Sequence, residues 1–159
     1  MRTLYVLIYL ISISFSTTAA TYEVSVTRKD SNLYVIDGKN TLIHTRYCYT
    51  YAYSEDAYLR TEGYSDKLIF IDSKDSCDVQ RILEPVNLNT GTYEVQVSRE
   101  DDKLYNIFGT DNFIITSMCL NLALADNAIL KITFGSSGTL TFDDGDSCQV
   151  EGVYGKMNL

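Results

Sequence analysis

Apolar and polar side chains alternate with a period of two along most of this chain. Tyr22, Val24 and Val26 are interleaved with Glu23, Ser25 and Thr27, and Tyr93, Val95 and Val97 stand in the same relation to their neighbours. That period is the mark of a strand with one face buried. The pattern predicts a first strand from Tyr22 to Thr27, a turn at Asp30–Asn32 and a second strand Leu33–Ile36 ending at Gly38. A longer strand follows from Leu42 to Tyr53, then a turn at Ser54–Asp56 with Ala57–Thr61 returning as its hairpin partner. Lys67–Ile71 and Cys77–Leu83 complete the set.

The same pattern then recurs. Residues 21–79 align without a gap on residues 92–150, a displacement of 71, with 23 identities in 59 positions. Gly38 is retained as Gly109, which suggests a positive φ angle. Gly63, Leu68 and Phe70 match Gly135, Leu140 and Phe142 better with a one-residue slip. This places length changes near Thr61–Glu62 and Asp72–Asp75. Met118–Leu124 alternates as strictly as Tyr47–Tyr53 and is predicted as a strand on the same ground. A repeat of this length points to two copies of one small unit. With about six short strands each, the expected fold is all-β, a tandem of two small barrels or curled sheets.

The N-terminus reads differently. Arg2 precedes an apolar run from Leu4 to Phe15, and Ser16–Ala20 are small. That is the layout of a cleaved secretory signal over residues 1–20. The expected division is then unit one at 21–84, a linker at 85–91 containing the chain's single proline, Pro85, and unit two at 92–159. The expected location is secreted or periplasmic. No Asn-x-Ser/Thr sequon occurs, which favours a bacterial envelope or bacterial secretion.

Export changes the meaning of the four cysteines, which are expected to form disulfides. The repeat favours Cys48–Cys77 and Cys119–Cys148, because each unit then keeps the same internal bond. Closing loops of that size is worth about 3.6 kcal/mol in the chain-entropy picture, a large share for a unit of about 60 residues. Cysteines so spaced, with one histidine in the chain, fit no zinc pattern. No metal and no cofactor is expected. Asp72–Asp75 and Asp143–Asp146 lack the spacing of a calcium loop and read as turns.

Without Arg2 the chain has 12 Lys/Arg against 21 Asp/Glu. Such a balance argues against nucleic acid and against insertion into anionic membranes after signal cleavage. There is no phosphate loop, no Gly-x-Ser-x-Gly and no Cys-x-x-Cys, so an enzyme is not expected.

The candidate binding residues are those where the two copies differ most. Tyr47, Tyr49, Tyr51 and Tyr53 stand against Met118, Leu120, Leu122 and Leu124, while His44 and Arg46 stand against Ile115 and Ser117. One expectation is that the large side chains are core, with tyrosine hydroxyls at the rim. The other is that unit one exposes part of a face that unit two buries, giving a contact row for a protein or a glycan. His44 and Arg46 are expected on a solvated strand face. The function expected is an exported, non-catalytic protein that binds a macromolecular partner, inhibitor- or immunity-like. A structural, self-assembling envelope or matrix protein and a carboxylate-based hydrolase are the alternatives.

Overall fold

A computed structural model describes residues 20–62 and 65–157. The expected signal therefore lies outside the described residues, except for Ala20, which opens the first strand. Gly63, the expected match of Gly135, lies outside them too.

Every regular element described is a strand. Unit one holds β1 (Ala20–Asp30), β2 (Leu33–Ile36), β3 (Leu42–Arg46), β4 (Glu55–Thr61), β5 (Lys67–Phe70) and β6 (Ser76–Pro85). Unit two holds β7 (Gly91–Asp101), β8 (Leu104–Ile107), β9 (Asn112–Ser117), β10 (Asp126–Phe134), β11 (Ser137–Phe142) and β12 (Ser147–Lys156). In unit one, antiparallel ladders run β1–β2–β3–β6–β5–β4 and return to β1. That ring is closed. Unit two repeats it as β7–β8–β9–β12–β11–β10. Because β4 returns beside β1 rather than beside β3, each barrel has Greek-key connectivity, and closure leaves no open sheet edge within it.

The alternation explains the cores. Val26, Tyr34, Ile43, Leu68 and Phe70 point into barrel one, as Val97, Tyr105, Ile114, Leu140 and Phe142 point into barrel two. The slip is located as expected. Leu68 and Leu140, and Phe70 and Phe142, are equivalent and buried, and the two turns before β6 and β12 differ by one residue. Gly38 and Gly109 have φ of +72° and +74°, so an L-residue there would be strained. The disulfides are Cys48–Cys77 and Cys119–Cys148, with Cα separations of 5.4 and 5.0 Å.

The barrels join through a short ladder between β6 and β12, pairing Leu83 with Lys156, Glu84 with Gly155 and Pro85 with Tyr154. With a displacement of 71 between units, this register maps onto itself, as at an isologous two-fold contact. The flanking bonds obey the same symmetry: Val86 N–H donates to Val153 O (2.8 Å) and Met157 N–H to Ile82 O (2.9 Å). A third core, containing Leu33, Leu42, Leu83, Leu104, Phe113 and Ile115, lies between the barrels.

Charges around this contact break the symmetry. Arg81 pairs with Glu100 at 3.0 Å and Lys29 with Glu151 at 2.9 Å. The twins are Lys29 for Glu100 and Gln80 for Glu151. Two copies of unit one would thus set Arg81 against Lys29.

Two expectations are corrected here. The strand predicted from Leu42 to Tyr53 ends at Arg46, and β4 pairs with β1 and β5, not with residues 47–53. Met118–Leu124 is likewise outside any strand. The break has a backbone cause: Tyr47 and Met118 take φ of +52° and +51°. His44 is not on a solvated face either. It is 3% exposed, in β3 at the contact with unit two, whereas Arg46 at the strand end is exposed.

Candidate functional site

The segments after β3 and β9 each carry four large, exposed side chains. Each crosses one end of its barrel to reach β4 or β10. Even-numbered residues of the first segment turn inward, with Cys48 and Ala52 buried; Cys119 and Ala123 do the same in the second. Odd-numbered residues of the first turn out. Tyr47, Tyr49, Tyr51 and Tyr53 are 76–79% exposed, and Met118, Leu120, Leu122 and Leu124 are 78–88% exposed. Both faces of the alternation were therefore legible, but their direction was not. Large side chains project outward as a ridge, and small ones plug the barrel. Neither unit buries its row, which corrects both the core reading and the reading in which unit two alone buries it.

These ridges are held, not draped. Tyr34, buried against Phe70 with ring centroids 5.4 Å apart, donates its hydroxyl to Thr50 O at 2.6 Å. Tyr105 does the same to Asn121 O at 2.6 Å. Burial raises the pKa of both hydroxyls, so each stays protonated as a donor. Arg28 N–H reaches Ala52 O and Arg99 N–H reaches Ala123 O, each at 2.8 Å. At the far ends, Ser54 N–H donates to Thr27 Oγ1 (3.0 Å) and Ala125 N–H to Ser98 Oγ (2.8 Å). The disulfide anchors the second residue of each ridge. Positive φ at Tyr47, Ser54, Met118 and Ala125 brackets both segments. Four non-glycine residues in that region, at matching places in both units, carry a cost of roughly 1–2 kcal/mol each. Such cost is tolerated where surrounding structure over-determines the backbone.

The start of the first ridge is tied to the contact between the units. Cys48 N–H donates to Asn32 Oδ1 (3.0 Å), and Asn32 Nδ2 donates to Asp101 Oδ2 of unit two (2.9 Å). The reciprocal contact joins Lys103 to Asp30 at 3.4 Å. His44 Nε2 lies 3.4 Å from Asp101 Oδ2, and its Nδ1 is buried without a partner among the described residues. Burial lowers the His44 pKa, with Arg81 adding to the effect. Of the six candidate contact residues, the four tyrosines form one exposed row, Arg46 adjoins its start, and His44 is sealed behind it.

The flanks of the two ridges differ. Ridge one has exposed Arg46 and Lys74 beside it, with Asp75 bonded to Thr50 Oγ1 at 2.9 Å. In unit two the twins of those cations are Ser117 and Gly145. Asn121 Nδ2 donates to Asp144 Oδ2 at 3.2 Å, and Asp126 and Asp143 line the same shallow depression as Asn121 and Asp144. The acidic turns themselves are closed by backbone bonds, Phe70 N–H to Asp75 O and Phe142 N–H to Asp146 O. Among the described residues, no group of three or more His, Cys, Asp or Glu side chains is arranged to hold a metal ion.

Comparison with known proteins finds no matching family model, no matching curated protein and no matching solved structure.

Proposed function

We propose that this chain is an exported, non-catalytic binding protein that meets a protein or glycan partner through its two ridges. The supporting observation is the pair of four-residue apolar rows, more than three-quarters exposed, on segments clamped by a disulfide and a buried tyrosine hydroxyl. Exposed apolar surface on this scale marks interaction sites. A pre-ordered segment also loses little conformational entropy on binding. Two intramolecular disulfides are compatible with an oxidising compartment, and with the apolar leader they favour a secreted or periplasmic location. The non-catalytic reading rests on the sequence, which presents no paired nucleophile and base.

The test is cross-linked capture from culture medium or envelope with wild type and two variants, Tyr49→Ala/Tyr51→Ala and Leu120→Ala/Leu122→Ala. A partner held by wild type and lost by at least one variant supports the proposal. A partner held equally by all three removes the ridges from the account.

A further inference from the structure

Resting on that reading, we infer that the ridge of unit two, Met118–Leu124, docks a cationic amphipathic polypeptide segment of the partner. Two features converge on that chemistry. The ridge presents Met118, Leu120, Leu122 and Leu124 in one row, and unbranched or γ-branched side chains adapt to varied apolar surfaces. Its border is acidic: Asp126, Asp143, Asp144 and Asp146 are all exposed, and Asp144 is joined directly to the ridge through Asn121. The exposed cations beside the tyrosine ridge, Arg46 and Lys74, have become Ser117 and Gly145 here. Arg99, the nearby guanidinium of unit two, is tied to Asp101 O, Asp102 O and Asp102 Oδ1. An apolar row with an anionic border complements an apolar stripe flanked by Lys or Arg. An anionic lipid surface would be repelled by the same border, and a second copy of so acidic a chain would be repelled as well.

The contact also needs no large rearrangement. Cys119, Asn121 and Ala123 are locked by the Cys119–Cys148 bond, the Tyr105 hydroxyl and the Arg99 N–H, so the outward row is already in register. Four such side chains cover about 400 Å² at roughly 100 Å² each. That is about half of one side of a standard interface, and suits a single helix or strand rather than a whole domain face.

The experiment titrates the full chain with a labelled amphipathic Leu/Lys peptide, and with a Leu/Glu peptide of the same pattern. Circular dichroism and the thiol count check the fold. The expected result is binding of the Leu/Lys peptide alone. Leu120→Ser with Leu122→Ser should weaken it about 30-fold. Asp126→Asn with Asp143→Asn and Asp144→Asn should weaken it about 10-fold and flatten its salt dependence. Both variants alter exposed side chains, so the fold is expected to survive. Equal binding of the Leu/Glu peptide, indifference to the Leu120/Leu122 change, or preference for phosphatidylcholine vesicles or for self-association in sedimentation would each overturn the inference. Should the ridge variants lose the captured partner while the Leu/Lys peptide does not bind, the broader proposal stands and this inference falls.

Discussion

Replacing His44 by isoleucine should stabilise the protein and remove part of its sensitivity to acid. His44 is 3% exposed between the barrels, where the equivalent position of unit two is Ile115, fully buried. Its Nδ1 has no partner, a deficit worth about 1–3 kcal/mol. Its one polar contact among the described residues, Nε2 to Asp101 Oδ2, is long at 3.4 Å, and Asp101 keeps Asn32 at 2.9 Å when the imidazole is gone. The balance favours isoleucine by about 1 kcal/mol at neutral pH, or roughly 3–4 °C in Tm. The pH dependence follows from burial, which holds the folded His44 pKa below its ordinary value, with Arg81 adding to this and Asp101 and Glu100 opposing it. Above about pH 6.5 the imidazole is neutral in both states, and its environment costs nothing in protons. As pH falls through that value the unfolded chain binds the proton first, so stability falls until the lower folded pKa is reached. Urea denaturation of wild type and His44→Ile from about pH 8 to about pH 5 measures both effects. The variant's advantage should widen on the acid side. A variant less stable than wild type at every pH, with the wild-type slope intact, would refute this account of the interface.

Three other outcomes are expected. Changing Cys48 and Cys77 together to alanine should cost about 3–4 kcal/mol in denaturant unfolding, and should speed amide exchange across residues 47–54, whose second residue the bond anchors. Gly138→Ala should cost about 3 kcal/mol or prevent folding, because a Cβ there would lie 1.8 Å from Lys131 O, a backbone atom that cannot swing away; thermal melting reads it. Units expressed as separate chains should associate one-to-one with each other rather than with themselves, since Arg81 faces Glu100 across the contact but would face Lys29 in a pair of first units. Native mass spectrometry showing mainly first-unit homodimers would contradict this.

Much of the fold was legible because it depends on local pattern and on the chain's internal repetition. Leu33–Ile36 was bounded correctly, Gly38 was assigned its positive φ, and the two copies agreed on which cysteines to join. What failed was an inference from alternation to pairing. Tyr47–Tyr53 alternates as well as any strand, but period two reports only an extended backbone with unlike surroundings on its two sides. The small residues Cys48 and Ala52 close a barrel end, so the large ones had to face out. The same uncertainty hid His44. Its position on β3 was visible, but that the outer surface of β3 becomes an inner surface when two barrels meet depends on the β6–β12 ladder, and three residues of pairing leave no mark of their own in sequence.

Where the two units differ follows a physical division. Residues that build each barrel are kept in kind: Val26 and Val97, Tyr34 and Tyr105, Ala52 and Ala123, the cysteines. Two sets of differences bear on the contact and on the ridges. At the contact they convert a self-complementary two-fold into a contact between unlike partners, through Lys29 against Glu100, Arg81 against Gly152 and His44 against Ile115. At the ridges they convert tyrosines into aliphatic side chains and remove two cations. The first set makes the second usable. Two identical barrels could only present the same ridge twice, whereas an interface of unlike charges joins one unit with an aromatic ridge to one with an aliphatic ridge.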